Sequence, residues 1–312
     1  MNREFVKKNR FVFSLLAIFF ILLSFSFIVR ENGLLSTGEI KGFGDLLPTP
    51  ALYPTNNRVS TLPELTARSV FVIDANSSVV LYKKDPDLRL MPASTTKIMT
   101  ALVALEQYSL QDVLVVGKME IDGNTLDLQE GERMTVESLL YGLLVGSGND
   151  AAEVLAENFP QGVSGFVWTM NKKAEEYGLK DTHFQNPIGL DDSENYTTTH
   201  DLATLAQIAL KNPVFSRIVS TSGLTITDIS GSITHTLQNT NELVVKYAWV
   251  KGVKTGWTQN AGECLVSLIE KDEKKIIIVL LGSEDRFGET QILTDWIFDN
   301  FSWETIAPPK YQ

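Results

Sequence analysis

Hydrophobic and polar residues along this 312-residue chain change rhythm several times, and each change marks a different kind of element. Phe11 to Val29 is an unbroken run of nineteen uncharged residues, long enough for a helix across the hydrocarbon core of a bilayer. From Glu31 to about Pro63 the pattern dissolves into Gly, Pro, Ser, Thr and Asn, which reads as a flexible tether. Two short apolar runs, Ser69–Asp74 and Ser78–Tyr82, flank a turn at Ala75-Asn76-Ser77 and predict an opening hairpin. Lys97 to Leu105 is apolar on most sides and predicts a buried helix, with Pro92 and Ala93 just ahead of a start at Ser94. Helical spacing recurs over Val136–Leu144, Ala151–Asn158, Val163–Tyr177 and Asp201–Lys211, the last closed by Asn212-Pro213. Strand-like runs return at Gly262–Ile269 and Lys275–Leu281, on either side of the turn Glu270-Lys271-Asp272-Glu273. Thr290–Phe301 predicts a closing helix.

Strands at both ends of a helical middle predict an α+β fold, with one antiparallel sheet covered by helices. Residues from about 136 to 220 form its inserted helical subdomain. The plan is then a cytoplasmic N-terminus and transmembrane anchor over 1–30, a linker over 31–63, a folded body over 64–306 and a tail over 307–312. With 44% hydrophobic and 21% charged residues, the body can bury one sizeable core.

Charge sharpens the topology. The net charge is −11, yet the first thirty residues carry five basic side chains against Glu4 alone, so they are +4 and the remainder is −15. A basic flank before the apolar run keeps the short N-terminus inside and places the body outside the membrane. A cleavable signal peptide competes, since Ser24-Phe25-Ser26 offers small residues at alternate positions, but the apolar run continues past them and favours an anchor. Both readings export the body. Its acidity argues against nucleic-acid binding, which calls for a basic face.

Candidate chemistry lies in three short stretches. Ser94-Thr95-Thr96-Lys97, Ser147-Gly148-Asn149 and Lys254-Thr255-Gly256 together supply a serine nucleophile, two lysines and a polar relay. A serine hydroxyl needs a neighbour to take its proton, and a lysine can do so once burial or another cation lowers its pKa. Lys97 is three residues beyond Ser94, one turn away on the same face, and Lys97 and Lys254 can each depress the other. Plainer readings exist for each stretch: an N-cap with a solvated lysine, a helix C-cap followed by an N-cap, and a strand-end turn. Asp150 reads as a first-turn partner of the helix dipole, and Met99, Met134 and Met170 as packing. The sole cysteine, Cys264, sits in an apolar strand-like run and reads as a core thiol. His183, His200 and His235 lack metal-ligand spacing, so no metal or other cofactor is expected.

The residues around these stretches carry a resemblance. Pro92 to Thr100, Leu144 to Ala152, Gly252-Val253-Lys254-Thr255-Gly256, and Asn186-Pro187-Ile188-Gly189-Leu190 followed by Tyr196 to Ala203 resemble the low-molecular-mass penicillin-binding proteins of the D-alanyl-D-alanine carboxypeptidase family. The likeness runs from about Thr66 to Phe301. Class A β-lactamases share two of the motifs. They usually carry Ser-Asp-Asn in the middle position, and their glutamate-containing deacylation loop has no clear counterpart here. Ile188, where histidine is frequent, and Trp257 depart from the family pattern.

The resemblance implies a serine β-lactamase/transpeptidase-like fold, with Lys254-Thr255-Gly256 on an edge strand bordering the cleft. It implies a membrane-tethered D,D-carboxypeptidase that trims peptidoglycan stem peptides through an acyl-enzyme and is inhibited by β-lactams. Ser94 would be the nucleophile, Lys97 its base, Ser147 a relay to the departing D-alanine and Asn149 a partner of the substrate amide. Lys254, Thr255 and Gly256 would border the carboxylate site, and Trp257 and Ser94 would offer backbone N–H groups to the oxyanion; Arg286 reads first as an ordinary surface arginine and second as a charge near the carboxylate. The family's usual C-terminal β-domain and membrane helix are not seen before Gln312, and the N-terminal run is expected to anchor in their place. D,D-endopeptidase, β-lactamase and non-catalytic peptidoglycan-binding readings remain, the last disfavoured by the intact Ser, Lys, Ser, Asn and Lys set. The sequence sets no oligomeric state.

Overall fold

The computed structural model describes residues 52–57 and 60–305, and Leu52–Thr305 forms one unit. The apolar run Phe11–Val29, most of the expected tether and the tail at 307–312 lie outside the described residues. Among the described residues no helix is long and apolar enough to cross a membrane.

In chain order, β1 (Leu52–Asn56), β2 (Ser69–Asp74) and β3 (Val80–Lys84) precede α1 (Lys97–Gln107). Two short strands, β4 (Val113–Val115) and β5 (Arg133–Thr135), lead into the helices α2 (Val136–Leu144), α3 (Asn149–Glu157), α4 (Gly162–Glu176), α5 (Thr199–Ala209) and α6 (Pro213–Val219). A hairpin of β6 (Gly223–Thr227) and β7 (Thr234–Gln238) and the short α7 (Glu242–Lys246) follow. The chain then completes its sheet with β8 (Val250–Thr258), β9 (Gly262–Lys271) and β10 (Lys274–Ser283), and closes with α8 (Arg286–Asn300) and β11 (Phe301–Thr305).

One antiparallel sheet in the order β3-β2-β10-β9-β8 organises the body, as the α+β expectation had it. Its central strands are apolar without alternation because both faces are covered. Ile277, Val279 and Leu281 of β10 belong to the core shared by α1 to α6, with α5 directly against β10, whereas Ile276, Ile278 and Leu280 belong with Leu293 and Ile297 of α8 to the core on the other face. Because both sets are apolar, patterning alone does not set the register, and the two-residue turn Asp272-Glu273, with both residues at positive φ, pins Lys271 opposite Lys274. Being the edge strand, β8 is left with one side open to the helical subdomain.

Caps explain where helices begin earlier than apolar spacing suggests. Thr198 accepts from Asp201 N at 3.0 Å and starts α5 at Thr199, and Asp285 accepts from Gly288 N at 2.8 Å and starts α8 at Arg286. Such caps contribute about 1 kcal/mol each, enough to move a boundary by a turn. Three features differ from the sequence reading. β1 pairs with β11 although residues 52–56 fall within the expected tether. The β6–β7 hairpin was not anticipated, because its threonine- and serine-rich strands carry little apolar signal. Ser94 does not open an α-helix: Ala93–Thr96 forms a 3-10 turn, and α1 starts at Lys97.

Candidate active site

That 3-10 turn governs the geometry of the first motif. At three residues per turn the side chains of positions i and i+3 eclipse, and Lys97 Nζ comes to 2.9 Å from Ser94 Oγ. Ala93, just before the serine, is held at φ +47°, a left-handed backbone that costs a non-glycine residue free energy and clusters at functional sites. Lys97 is fully buried, and its other two neighbours are the Asn149 Oδ1 at 2.7 Å and the Ile188 carbonyl at 2.8 Å. Both accept only. The Asn149 orientation is fixed in turn by its Nδ2, which donates to the Asp122 carbonyl at 2.7 Å. A neutral amine has two hydrogens and one lone pair, so two hydrogens go to Asn149 and Ile188 and the lone pair faces the serine hydroxyl.

The second pair has the same composition. Ser147 occupies the turn between α2 and α3 at φ +59°, and its Oγ accepts from Lys254 Nζ at 2.9 Å. Lys254 stands on the edge strand β8, is 1% exposed, and also donates to the Thr255 carbonyl at 3.1 Å. Gly256 has no side chain for a spatial reason, since a Cβ there would lie 2.9 Å from Ser94 N and 3.2 Å from the Pro92 carbonyl. Arg286, first residue of α8, donates from Nη1 to the Gly256 carbonyl at 2.7 Å and keeps a buried Nε without a partner. Thr255 Oγ1 and Thr240 Oγ1 are 2.7 Å apart.

Both lysines are pushed down from the ordinary lysine value. For Lys97 the shift is large, with burial the main cause, the Lys254 charge the second, and Asp150 opposing. Lys254 is lowered to about 7 by burial and then by Arg286. Burial dominates for both amines, and a neighbouring cation adds to it in each case, Lys254 beside Lys97 and Arg286 beside Lys254. Between pH 7 and the unfolded value of 10.5 the unfolded chain holds the Lys254 proton and the folded chain does not. Stability should rise with pH as that window is entered, by up to about 1.4 kcal/mol per pH unit per lysine. Urea unfolding at pH 7 and pH 8.5 checks this, and Lys254→Met should flatten the rise. An unchanged slope in the variant would refute the assignment.

Seven of the nine expected site residues, Ser94, Ser147, Asn149, Thr255, Gly256, Trp257 and Arg286, line one cleft of about 640 Å³. Lys97 and Lys254 stand behind its wall with their amines on the two serines. Trp257 is 64% exposed at the rim. A larger cavity of about 790 Å³ lies at the far end of the sheet, near Lys251 and Lys275, and contains none of the nine. Cys264 is fully buried and its thiol is pushed up to about 11 by burial, a core position. Met99, Met134 and Met170 are likewise fully buried.

The segment Asp122 to Leu128 was not recognised as part of the site. It wraps the second motif: Asn149 N donates to the Asn124 carbonyl at 2.8 Å, Asn124 Nδ2 to the Gly146 carbonyl at 2.6 Å, and Asp150 Oδ2 accepts from Leu126 N at 2.8 Å. Leu126 fills a slot left by Gly142, Gly146 and Gly148, where any Cβ would meet its side chain. Asp150 is thus a loop anchor as well as a first-turn acid. Asn149, expected to hold the substrate amide, spends its oxygen on Lys97 and one amide hydrogen on Asp122, leaving one hydrogen for a ligand. The glycine spacing around Ser147 was the only trace of this wrap in the sequence, and it also reads as ordinary capping.

A family model described as D-alanyl-D-alanine carboxypeptidase matches residues 55–285. The D-alanyl-D-alanine carboxypeptidase DacF of Bacillus subtilis (strain 168) is 34% identical over 245 residues, which are 75% of this chain and 63% of that protein. A D-alanyl-D-alanine endopeptidase of Pseudomonas aeruginosa is 33% identical over 242 residues, covering 75% of this chain and 78% of the relative. The crystal structure of the Streptomyces K15 DD-transpeptidase superposes with a TM-score of 0.73 at 32% identity, over 77% of this chain and all of that one. Motif geometry, fold and likeness agree, and the chain belongs to the D-alanyl-D-alanine carboxypeptidase family of serine peptidases.

Proposed function

We propose that this protein is a serine D,D-carboxypeptidase that removes the terminal D-alanine from peptidoglycan stem peptides and is acylated by β-lactams. The observation that carries the reading is the Lys97 amine, buried, with its pKa pushed down by that burial, and held by two acceptors 2.9 Å from Ser94 Oγ. Ser94 attacks the carbonyl of the penultimate D-alanine while Lys97 takes its proton. The close approach of Gly256 to Ser94 N supports the backbone N–H groups of Ser94 and Trp257 as the donors to the oxyanion. Ser147, held by Lys254, passes a proton to the departing amine. Thr255 and Arg286, which both line the cleft, would receive the terminal carboxylate, the Arg286 guanidinium supplying the charge. Water then hydrolyses the ester by the reverse proton path.

Tethering belongs to the same proposal. The nineteen uncharged residues after a basic flank support a single-pass anchor with the body outside the cell membrane. Fractionation of cells making the full chain should place it in the membrane pellet, and release by salt alone would contradict the anchor.

The activity is tested by incubating the full-length protein with a stem pentapeptide ending in D-alanyl-D-alanine and measuring free D-alanine. Release is expected from the unaltered protein, and Ser94→Ala should lower it by about 10⁴-fold or more. Release that persists in Ser94→Ala, or none from the unaltered protein, would refute the reading.

A further inference from the structure

Of the three histidines only His235 is buried, and nothing in the proposed reaction uses it. It stands on β7, opposite Ile226 of β6. Its Nδ1 lies 2.9 Å from the Leu126 carbonyl, and its Nε2 lies 2.7 Å from Glu132 Oε1. A carbonyl oxygen only accepts, so Nδ1 carries a hydrogen and donates it to Leu126. A neutral imidazole has one such hydrogen, which would leave Nε2 without one, facing a carboxylate that when ionised also only accepts. One further proton, held between His235 and Glu132, satisfies the second contact, and in either placement Nδ1 keeps its bond to Leu126. Glu132 is itself fixed, being buried, with its Oε2 accepting from Gln129 N at 3.0 Å and its carbonyl accepting from Val116 N at 2.9 Å.

What the histidine holds is the loop that wraps the second motif. Between β4 and β5 that loop has no helix or strand of its own, so its position depends on such bonds. Leu126 is gripped from both sides, its N–H by Asp150 Oδ2 at 2.8 Å and its carbonyl by His235. Two and four residues earlier the loop grips Asn149, whose N–H donates to the Asn124 carbonyl at 2.8 Å and whose Nδ2 donates to the Asp122 carbonyl at 2.7 Å. Asn149 Oδ1 accepts in turn from Lys97 Nζ at 2.7 Å. A bonded path therefore runs from the imidazole, through the loop and Asn149, to the amine beside Ser94.

We propose that His235 is a positioning residue for the reaction at Ser94: it clamps the Leu126 carbonyl, so that the loop keeps Asn149, and with it the Lys97 amine, aligned with the serine hydroxyl. The inference rests on the role of Lys97 as base in the proposed carboxypeptidase reaction. His235 touches neither the serine nor the cleft residues that would meet a substrate, and it moves no proton to them. Releasing the clamp frees Asn149 from Lys97. An amine that loses an acceptor holds its proton less tightly, with Lys254 and Asp150, the other charges acting on Lys97, left in place.

The test follows penicillin acylation of the full-length protein across pH, with D-alanine release from a stem pentapeptide and urea unfolding measured beside it. In His235→Asn the amide nitrogen reaches the place of Nδ1 and can keep the bond to Leu126, whereas in His235→Gln it reaches the place of Nε2 and keeps only the bond to Glu132. Acylation should fall roughly tenfold or more in His235→Gln and stay within about threefold of the unaltered rate in His235→Asn. The acid limb of the residual rate should move to lower pH in the glutamine variant alone. Gly231→Ala, in the turn between β6 and β7, strains the same hairpin without touching His235 and should acylate like the unaltered protein. Equal rates in the two histidine variants, whether slow or fast, would make His235 a packing residue and overturn the proposal. So would an acid limb that stays in place in His235→Gln, or a Gly231→Ala protein slowed as much as His235→Gln. Each of these leaves the carboxypeptidase reading standing. An unaltered protein that takes no penicillin and releases no D-alanine overturns that reading, and the role of His235 with it.

Discussion

Lys97→Met should slow acylation of Ser94 by a penicillin by about 10²–10⁴-fold, the usual contribution of a positioned general base. Methionine keeps the length and apolar stem of lysine and removes only the amine, so the cleft should keep its shape. What is lost is the lone pair 2.9 Å from Ser94 Oγ. The Asn149 oxygen and the Ile188 carbonyl lose their donor, which costs about 1–3 kcal/mol each, offset in part because no amine has to be buried. The variant should therefore fold with reduced stability. In the unaltered protein acylation should fade as pH falls through the lowered Lys97 value, because the protonated amine cannot accept. That acid limb should be missing from the residual rate of Lys97→Met. Lys97→Arg should be as slow, since a guanidinium stays charged. A variant acylated within about threefold of the unaltered rate would remove Lys97 from the role of base.

Gly189→Ala should be among the most damaging single-methyl additions in the chain. Gly189 sits at φ +89°, and a Cβ there would fall on the Ala93 carbonyl group and come within 2.9 Å of Thr96 Oγ1. The loop cannot give way cheaply, because Asn186 Oδ1 accepts from Ile188 N, Gly189 N and Leu190 N at 3.2, 2.7 and 3.1 Å. Overpacking and backbone strain together should cost on the order of 3–5 kcal/mol. Activity should suffer beyond stability, because the same loop supplies the Ile188 carbonyl that aims Lys97, and Ala93 precedes the serine. Gly231→Ala is the control. Its φ is +72°, but a Cβ there meets nothing within 4 Å, so only the left-handed backbone is penalised, by about 1–2 kcal/mol. Denaturant unfolding of both variants, with penicillin acylation of each, checks the pair. Equal destabilisation would show that the contact with Ala93 is not tight.

Local chemistry was legible in the chain wherever it depends on residues close in sequence. Ser94 and Lys97 meet because they are three apart, and Ser147, Gly148 and Asn149 share one turn, so both pairs of neighbours could be seen before any fold. The central strands were equally plain, since β9 and β10 have largely apolar middles and are joined by a tight turn. What escaped depends on contacts distant in sequence. Asp122 reaches the site by its backbone carbonyl, which any residue carries, and Asn124 by its carbonyl and by a side-chain bond to the Gly146 carbonyl, a partner 22 residues away. Thr240 enters by one hydroxyl bond to a strand that follows it, and β7 is held by pairing and by His235, with little apolar patterning of its own. The 3-10 turn at Ala93 also leaves no trace in composition: an alanine at φ +47° is a consequence of the packing around Gly189 and Gly256.

Penicillin added to the full-length protein, followed by intact mass measurement and peptide mapping, tests the serine acyl-enzyme most directly. One penicillin per chain should be found, bonded to the peptide that carries Ser94, with no adduct in Ser94→Ala. An adduct on any other residue, or a protein that stays unlabelled at a large molar excess of penicillin, would contradict it.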